Sequence, residues 1–287
     1  MHNKGSLNAC LRYGNSFSEN GLPMQRSAIA ILAVIVLTVS ATTAYAFTGG
    51  FQSQPLQVSP QRGALFQASV YSALEAGDYD GATTLKDLRA HGDFGLGTFD
   101  ALDGEMILLN GTFYQIKSDG NVYVANDSMK TPLADVTSFE PESQLALAPN
   151  SPLNYSELQQ YLDGQLPTKN VFYAVKMTGE CSYLEVRSPP RQVMPYPQLS
   201  AALKNQSIFE LHNVTGTFVG FFSPQYSDGI SAPGWHFHFL SADKNHGGHV
   251  LEVTLQRAVI QIDDLTSLSV SLPNTNAFYA LNLTSAT

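Results

Sequence analysis

Pro233-Gly-Trp-His236-Phe-His238-Phe-Leu-Ser-Ala-Asp243-Lys-Asn-His246-Gly-Gly-His249 reads as two strands joined by a turn. The first half is rich in aromatic residues. Asp243-Lys-Asn and the glycine pair supply the turn, and an apolar run begins again at His249. Residues two apart on a strand share a face, so His236 and His238 point the same way. His249 opens the returning strand and can face inward with them. His246 precedes the glycines and is placed toward solvent. A single buried histidine is ordinarily satisfied by a backbone carbonyl, which does not explain three on one hairpin. Three imidazoles with further coordination positions left open have the layout of a catalytic metal site. Imidazole suits zinc, iron, nickel or copper alike, and spacing does not choose among them.

The same strand character extends outward from this hairpin. From Ile208 on, short apolar runs over 208–212, 215–222, 234–241, 249–256, 258–263 and 267–272 predict six antiparallel strands, closed or nearly closed into a small barrel or sandwich. Upstream, runs over 105–109, 112–117 and 122–125 are separated by Asn110-Gly111 and Asp119-Gly120-Asn121, which are hairpin turn signals. Residues 171–177 and 183–187 also read as strands. Helices are predicted over 64–76, over 84–90 with Thr84 as cap, over 154–162 with Asn154 as cap and Glu157 three residues on, and over 198–205. The proline-rich stretch Ser188–Pro197 is the expected internal boundary. The class is α+β, with antiparallel sheets dominating.

The 287 residues carry a net charge of −9, which argues against nucleic acid as a partner. Near the N-terminus Arg26 precedes an apolar run, Ser27–Val39, and small residues follow to Ala44-Tyr-Ala46. That is the pattern of a secretory signal peptide, cleaved after Ala46. The run is short for a spanning helix, so no membrane anchor is expected after cleavage, and the mature protein is secreted or periplasmic. Met24-Gln-Arg26 would itself open a compact signal, so residues 1–23 are expected not to be translated. Residues 47–63, rich in Gln, Pro, Ser and Gly, read as a linker. Of the two cysteines, Cys10 falls in the leader and leaves Cys181 alone, so no intrachain disulfide is expected and any metal must be held by histidines.

Two further residues read blandly by themselves. Glu105 follows the glycine-rich Gly92-Asp-Phe-Gly-Leu-Gly-Thr-Phe-Asp-Ala-Leu-Asp-Gly104 and could be an edge-strand charge. Arg187 ends Tyr183-Leu-Glu-Val-Arg187, just before Ser188-Pro-Pro190, and could be a surface arginine. Taken together, Gly92–Met106, Gly216-Thr-Phe-Val-Gly-Phe-Phe-Ser-Pro-Gln-Tyr226, Gly234-Trp-His236-Phe-His238 and Gly247-Gly-His249-Val-Leu251 resemble the α-acetolactate decarboxylases, over about residues 64–283.

That resemblance implies conversion of (S)-2-acetolactate to (R)-acetoin and carbon dioxide. It implies a zinc ion on His236, His238 and His249, with Glu105 and Arg187 as catalytic residues. It implies a two-domain α/β homodimer, with a mixed sheet first and a small antiparallel barrel carrying the metal second, which the proline-rich boundary divides as 64–190 and 191–287. No thiamine or pyridoxal cofactor is needed, because the substrate's own ketone accepts the electrons. The family usually adds a glutamate from a C-terminal tail. Here no carboxylate follows Asp264, Asn282 stands where the family has aspartate, and Glu252 faces away on a regular strand. Intact metal binding with altered protonation is therefore expected: either proton delivery relies on Glu105 and water, or the enzyme is slower or less stereoselective. Two rivals differ in chemistry. A cupin-like dioxygenase or isomerase would carry a glutamate four or five residues after the second histidine, where this chain has Phe239-Leu-Ser-Ala-Asp243. The other is a non-catalytic secreted metal- or sugar-binding β-domain.

Overall fold

The structure, a computed structural model, describes residues 62–283. The leader expected over 1–46 and all but the last two residues of the expected linker lie outside them. In chain order the strands are β1 (Ala64–Ala68), β2 (Thr83–Thr84), β3 (Phe94–Thr98), β4 (Glu105–Leu109), β5 (Thr112–Ile116), β6 (Val122–Val124), β7 (Lys130–Thr131), β8 (Ala134–Thr137), β9 (Ser143–Leu147), β10 (Leu153–Asn154), β11 (Phe172–Ser188), β12 (Ser207–Ser223), β13 (Gly234–Ser241), β14 (Gly247–Leu265) and β15 (Ser267–Ser271). The helices are short: α1 (Tyr71–Glu75), α2 (Leu85–Arg89), α3 (Tyr155–Asp163), α4 (Leu199–Ala202) and α5 (Asn276–Ala280). Among the described residues no helix is long and apolar enough to cross a membrane.

A seven-stranded mixed sheet has the order β15-β1-β8-β3-β4-β5-β6, with β15 parallel to β1 and the other pairs antiparallel. A six-stranded antiparallel sheet has the order β10-β14-β11-β12-β13, with β9 also on β14. β13 then returns to β14 through His238↔His249, Phe239↔Gly248 and Leu240↔Gly247. β2 and β7 form a separate ribbon.

Local chemistry explains the hairpins and caps. Asn110 (φ 50) and Gly111 (φ 74) both hold the positive φ that a two-residue hairpin turn requires. In α3 the Asn154 side chain accepts from the Glu157 N–H at 2.9 Å, and the Glu157 carboxylate accepts from the Asn154 N–H at 2.9 Å. That reciprocal box stabilises a helix start by about 1 kcal/mol.

Several expectations are corrected by tertiary context. Residues 64–76 are not one helix. Ala64–Ala68 is a strand held between β15 and β8, Ser69 turns the chain at φ 64, and only Tyr71–Glu75 is helical. Pairing on both sides overrides the helical spacing of a short apolar run. The pairs of strands predicted over 171–187 and 208–222 are each one 17-residue strand. The polar break at Ser182 and Asn213 is absorbed as an irregularity, with Asn213 at φ 49 and pairing resumed at Tyr183↔His212. The strand expected last in the barrel, β15, leaves for the other sheet and lies parallel beside β1, where Thr266 and Ser267 donate to the Gly63 carbonyl. Residues 191–287 therefore do not form a barrel by themselves. Nor do the sheets part at residue 190. β9, β10 and β11 precede it and belong to the six-stranded sheet, while β15 follows it and belongs to the seven-stranded one.

Alternation along β11 shows where the two sheets meet. Tyr173, Val175 and Met177 pack with Leu158 and Leu162 of α3, on one face. Phe172 and Ala174 point the other way, into a core shared with Leu65, Ile107, Ile116 and Phe221. The seven-stranded sheet thus covers the second face of the six-stranded sheet, and their seam holds the site.

Candidate active site

β13 sorts its side chains by parity. Trp235, Phe237 and Phe239 enter the core beneath α3, whereas His236, His238 and Leu240 face the seven-stranded sheet. His238 lies opposite His249 of β14, and His249 lies opposite Arg187 of β11. A transverse row of three functional residues therefore crosses three neighbouring strands. Its register depends on an irregularity between Glu185 and Val186, where the partner steps from Glu252 to Val250. Without that step Arg187 would face Val250. Bulges of this kind re-aim side chains beside active sites. Gly248 (φ 147) completes the fit, because a Cβ there would stand 2.5 Å from the Arg187 carbonyl oxygen.

The imidazoles converge. His236 Nε2 is 3.2 Å from His238 Nε2 and 3.0 Å from His249 Nδ1. His238 Nδ1 donates to the Met106 carbonyl of β4 at 2.8 Å, which leaves its Nε2 as a lone pair aimed into the cluster. Burial pushes His236 down to about 4, and the nearby Arg187 cation adds to this. His238 and His249 are held well below the usual histidine range by burial, with His236 and Arg187 contributing. All three are neutral at pH 7. Three converging neutral nitrogens suit a cation. Tetrahedral zinc ligands about 2.0–2.1 Å from the metal stand roughly 3.3 Å apart, close to the two separations from His236, and all three ligand atoms lie within 4.8 Å of one another.

The opposite wall comes from the seven-stranded sheet. Glu105, buried at the start of β4, brings Oε2 to 3.4 Å from His238 Nε2. Burial pushes its carboxyl up to about 7, against the pull of Arg187. Arg187 donates from Nη1 to Gln206 Oε1 at 3.2 Å, while its buried Nε has no partner among the described residues. A cavity of about 160 Å³ joins these groups. Glu105, Arg187 and the three histidines line its polar side, and Leu74, Leu102, Leu199 and Trp235 its apolar side. A cavity of about 150 Å³ accepts benzene, so this one suits a small molecule of a few carbons.

All five residues singled out in the sequence meet in this cavity. His246 stays in the turn, exposed, and Glu252 is exposed on β14. Sequence reading missed Tyr71, which reaches the cavity from α1, and the Met106 carbonyl, which no side-chain pattern reports. It also missed Asp135 of β8. A charge inside the apolar Leu133-Ala-Asp-Val136 is the sequence signal for it.

The sequence model of α-acetolactate decarboxylase matches residues 65–285. The chain belongs to the α-acetolactate decarboxylase family. It is 45% identical over 219 residues to the α-acetolactate decarboxylase of Methanosarcina mazei, covering 76% of this chain and 75% of that one. It is 44% identical over 223 residues to the enzyme of Brevibacillus brevis, covering 78% of each. The crystal structure of α-acetolactate decarboxylase from Bacillus subtilis superposes with a TM-score of 0.75 at 34% identity, covering 78% of this chain and 94% of that one. As a member of this decarboxylase family the chain is an enzyme, a lyase acting on a small molecule. The cupin-like and non-catalytic readings draw no support from these matches.

Proposed function

We propose that this chain converts (S)-2-acetolactate to (R)-acetoin and carbon dioxide, with zinc held by His236, His238 and His249. The observation that carries this reading is the convergence of three neutral imidazoles on one cavity with a buried acid and a fixed cation. Zinc bound there would supply Lewis acidity where decarboxylation leaves an electron pair.

The chain's own residues do the rest. Arg187 keeps its charge at any working pH and offers an uncommitted Nε–H, so it can bind the substrate carboxylate. When the bond to that carboxyl carbon breaks, the pair stays on the substrate and spreads into the adjacent carbonyl as an enediolate. The guanidinium then faces growing negative charge in a partly apolar pocket, where fixed charges act strongly. Glu105 holds a proton on one wall and can deliver it to one face of the carbon, which accounts for a single enantiomer. The apolar wall of Leu74, Leu102 and Leu199 limits water, the competing proton source. Asn282 and Leu283 line a neighbouring pocket together with Tyr71, Leu199 and Leu203, three residues that also line the cavity.

Assay of acetoin and its enantiomeric purity tests this, using purified protein before chelation, after chelation and after zinc is restored. Loss on chelation and recovery with zinc is expected, and full turnover after complete metal removal would sink the zinc reading. The signal-like run ending at Ala46 supports export, and the family resemblance supports a homodimer. N-terminal sequencing of secreted protein and sedimentation check these two points.

A further inference from the structure

Beside the main cavity lies a second one, of about 20 Å³, lined by Asp135, His236, Gln67 and Tyr71 among others. About 10–15 Å³ of such space holds one water. Asp135 stands on β8 between β1 and β3, opposite Gln67 and Leu96. Its Oδ1 is buried and has no hydrogen-bond partner among the described residues. Gln67 cannot serve it. Its amide donates to the Ser69 and Ile230 carbonyls, and its own oxygen accepts from Ser231. A buried carboxyl oxygen left in this state costs about 1–3 kcal/mol, so its retention calls for an explanation.

His236 presents the complementary problem. It faces the cluster through Nε2, as His238 does. The rear nitrogen of His238 is fixed by the Met106 carbonyl. The rear nitrogen of His236, Nδ1, has no such protein acceptor among the hydrogen bonds formed by the described residues. Metal-binding histidines almost always donate from that nitrogen to a carboxylate, a carbonyl or a water, which sets the tautomer. We propose that Asp135 is a positioning residue for His236, acting through one water in the small cavity that accepts from His236 Nδ1–H and donates to Asp135 Oδ1. The inference rests on the reading of the three histidines as a metal site. It assigns to β8 the part that Met106 of β4 plays for His238, so that the seven-stranded sheet aims both histidines of β13.

The test compares zinc affinity, by competition with a chromophoric chelator, in the wild type, Asp135→Val and Asp135→Asn, together with the thermal midpoint of each metal-free protein. Asp135→Val removes the acceptor and should weaken zinc binding about 10- to 100-fold, the usual effect of losing an outer partner of a ligand. Its metal-free thermal midpoint should hold or rise, which separates lost aim from lost folding. Asp135→Asn keeps an acceptor oxygen and should recover most of the affinity. Wild-type affinity in Asp135→Val overturns the proposal and leaves the metal site standing. Failure of the wild type itself to bind zinc overturns both. Equal weakening in Asn and Val, with both thermal midpoints lowered, shows a structural role only and also overturns it.

Discussion

Across the cavity the two sheets present opposite chemistry. The six-stranded sheet offers bases and a fixed cation: His236, His238, His249 and Arg187. The seven-stranded sheet offers acids, Glu105 at the main cavity and Asp135 at the smaller one beside it. Desolvation acts on both walls and drives both toward neutrality. It pushes His236 down to about 4, and Glu105 and Asp135 up to about 7. One physical cause thus readies one wall to hold a cation as unprotonated donors and the other to hold protons. In the proposed reaction, decarboxylation draws on the first wall and protonation on the second.

The largest expected effect breaks the basic wall. His238→Ala removes a converging donor together with the hydrogen bond to Met106, the side-chain tie between β13 and β4. Lewis acidity worth several kcal/mol corresponds to about 10³-fold in rate, so acetoin formation should fall by at least that much, and zinc should be lost with it. Metal content of the purified variant checks the second half. Retained stoichiometric zinc would show that His238 is not a ligand.

The next effect breaks the acidic wall alone. Glu105→Gln keeps the shape and removes the proton, so zinc should remain while kcat falls about 10²- to 10⁴-fold. Full turnover would remove Glu105 from the mechanism. Arg187→Lys is gentler, because a cation stays but the planar fork that can bind a carboxylate is lost. We expect a loss in kcat/KM of about tenfold or more, with zinc unaffected. Wild-type kcat/KM in that variant would show that the guanidinium does not contact substrate.

The two walls were not equally legible in the sequence. The basic wall announced itself, because His236 and His238 share a strand face and His249 follows one turn later. Asn110-Gly111, Thr84 and Asn154 were legible for the same reason, since each acts through neighbours in the chain. The acidic wall depends on contacts across the two sheets. Glu105 and Arg187 gained meaning only from the family resemblance, and Arg187 stands opposite His249 only through the register step at Glu185/Val186. Asp135 gave a signal, a charge in an apolar run, but the strand to which it belongs is buried by β1 and β3, distant segments whose pairing no local pattern specifies. The course of β1 and β15 escapes local pattern for that same reason.

The smallest expected effect sharpens the contrast through stability in the metal-free protein. Burial raises the Asp135 carboxyl to about 7 in the folded protein, while an unfolded aspartate titrates near 3.9. Between these values the folded chain keeps a proton that the unfolded chain has released. Stability therefore falls as pH rises through this window, and the penalty is complete above about pH 7. Asp135→Asn removes the titration. In metal-free protein its stability relative to wild type should be near zero at pH 4 and should grow by a few kcal/mol toward pH 8, as the folded carboxyl gives up the proton it keeps to about pH 7. Denaturant titrations at the two pH values measure that difference. A gap that is the same at both pH values would show that Asp135 does not titrate across this range, and the acidic wall would then consist of Glu105 alone.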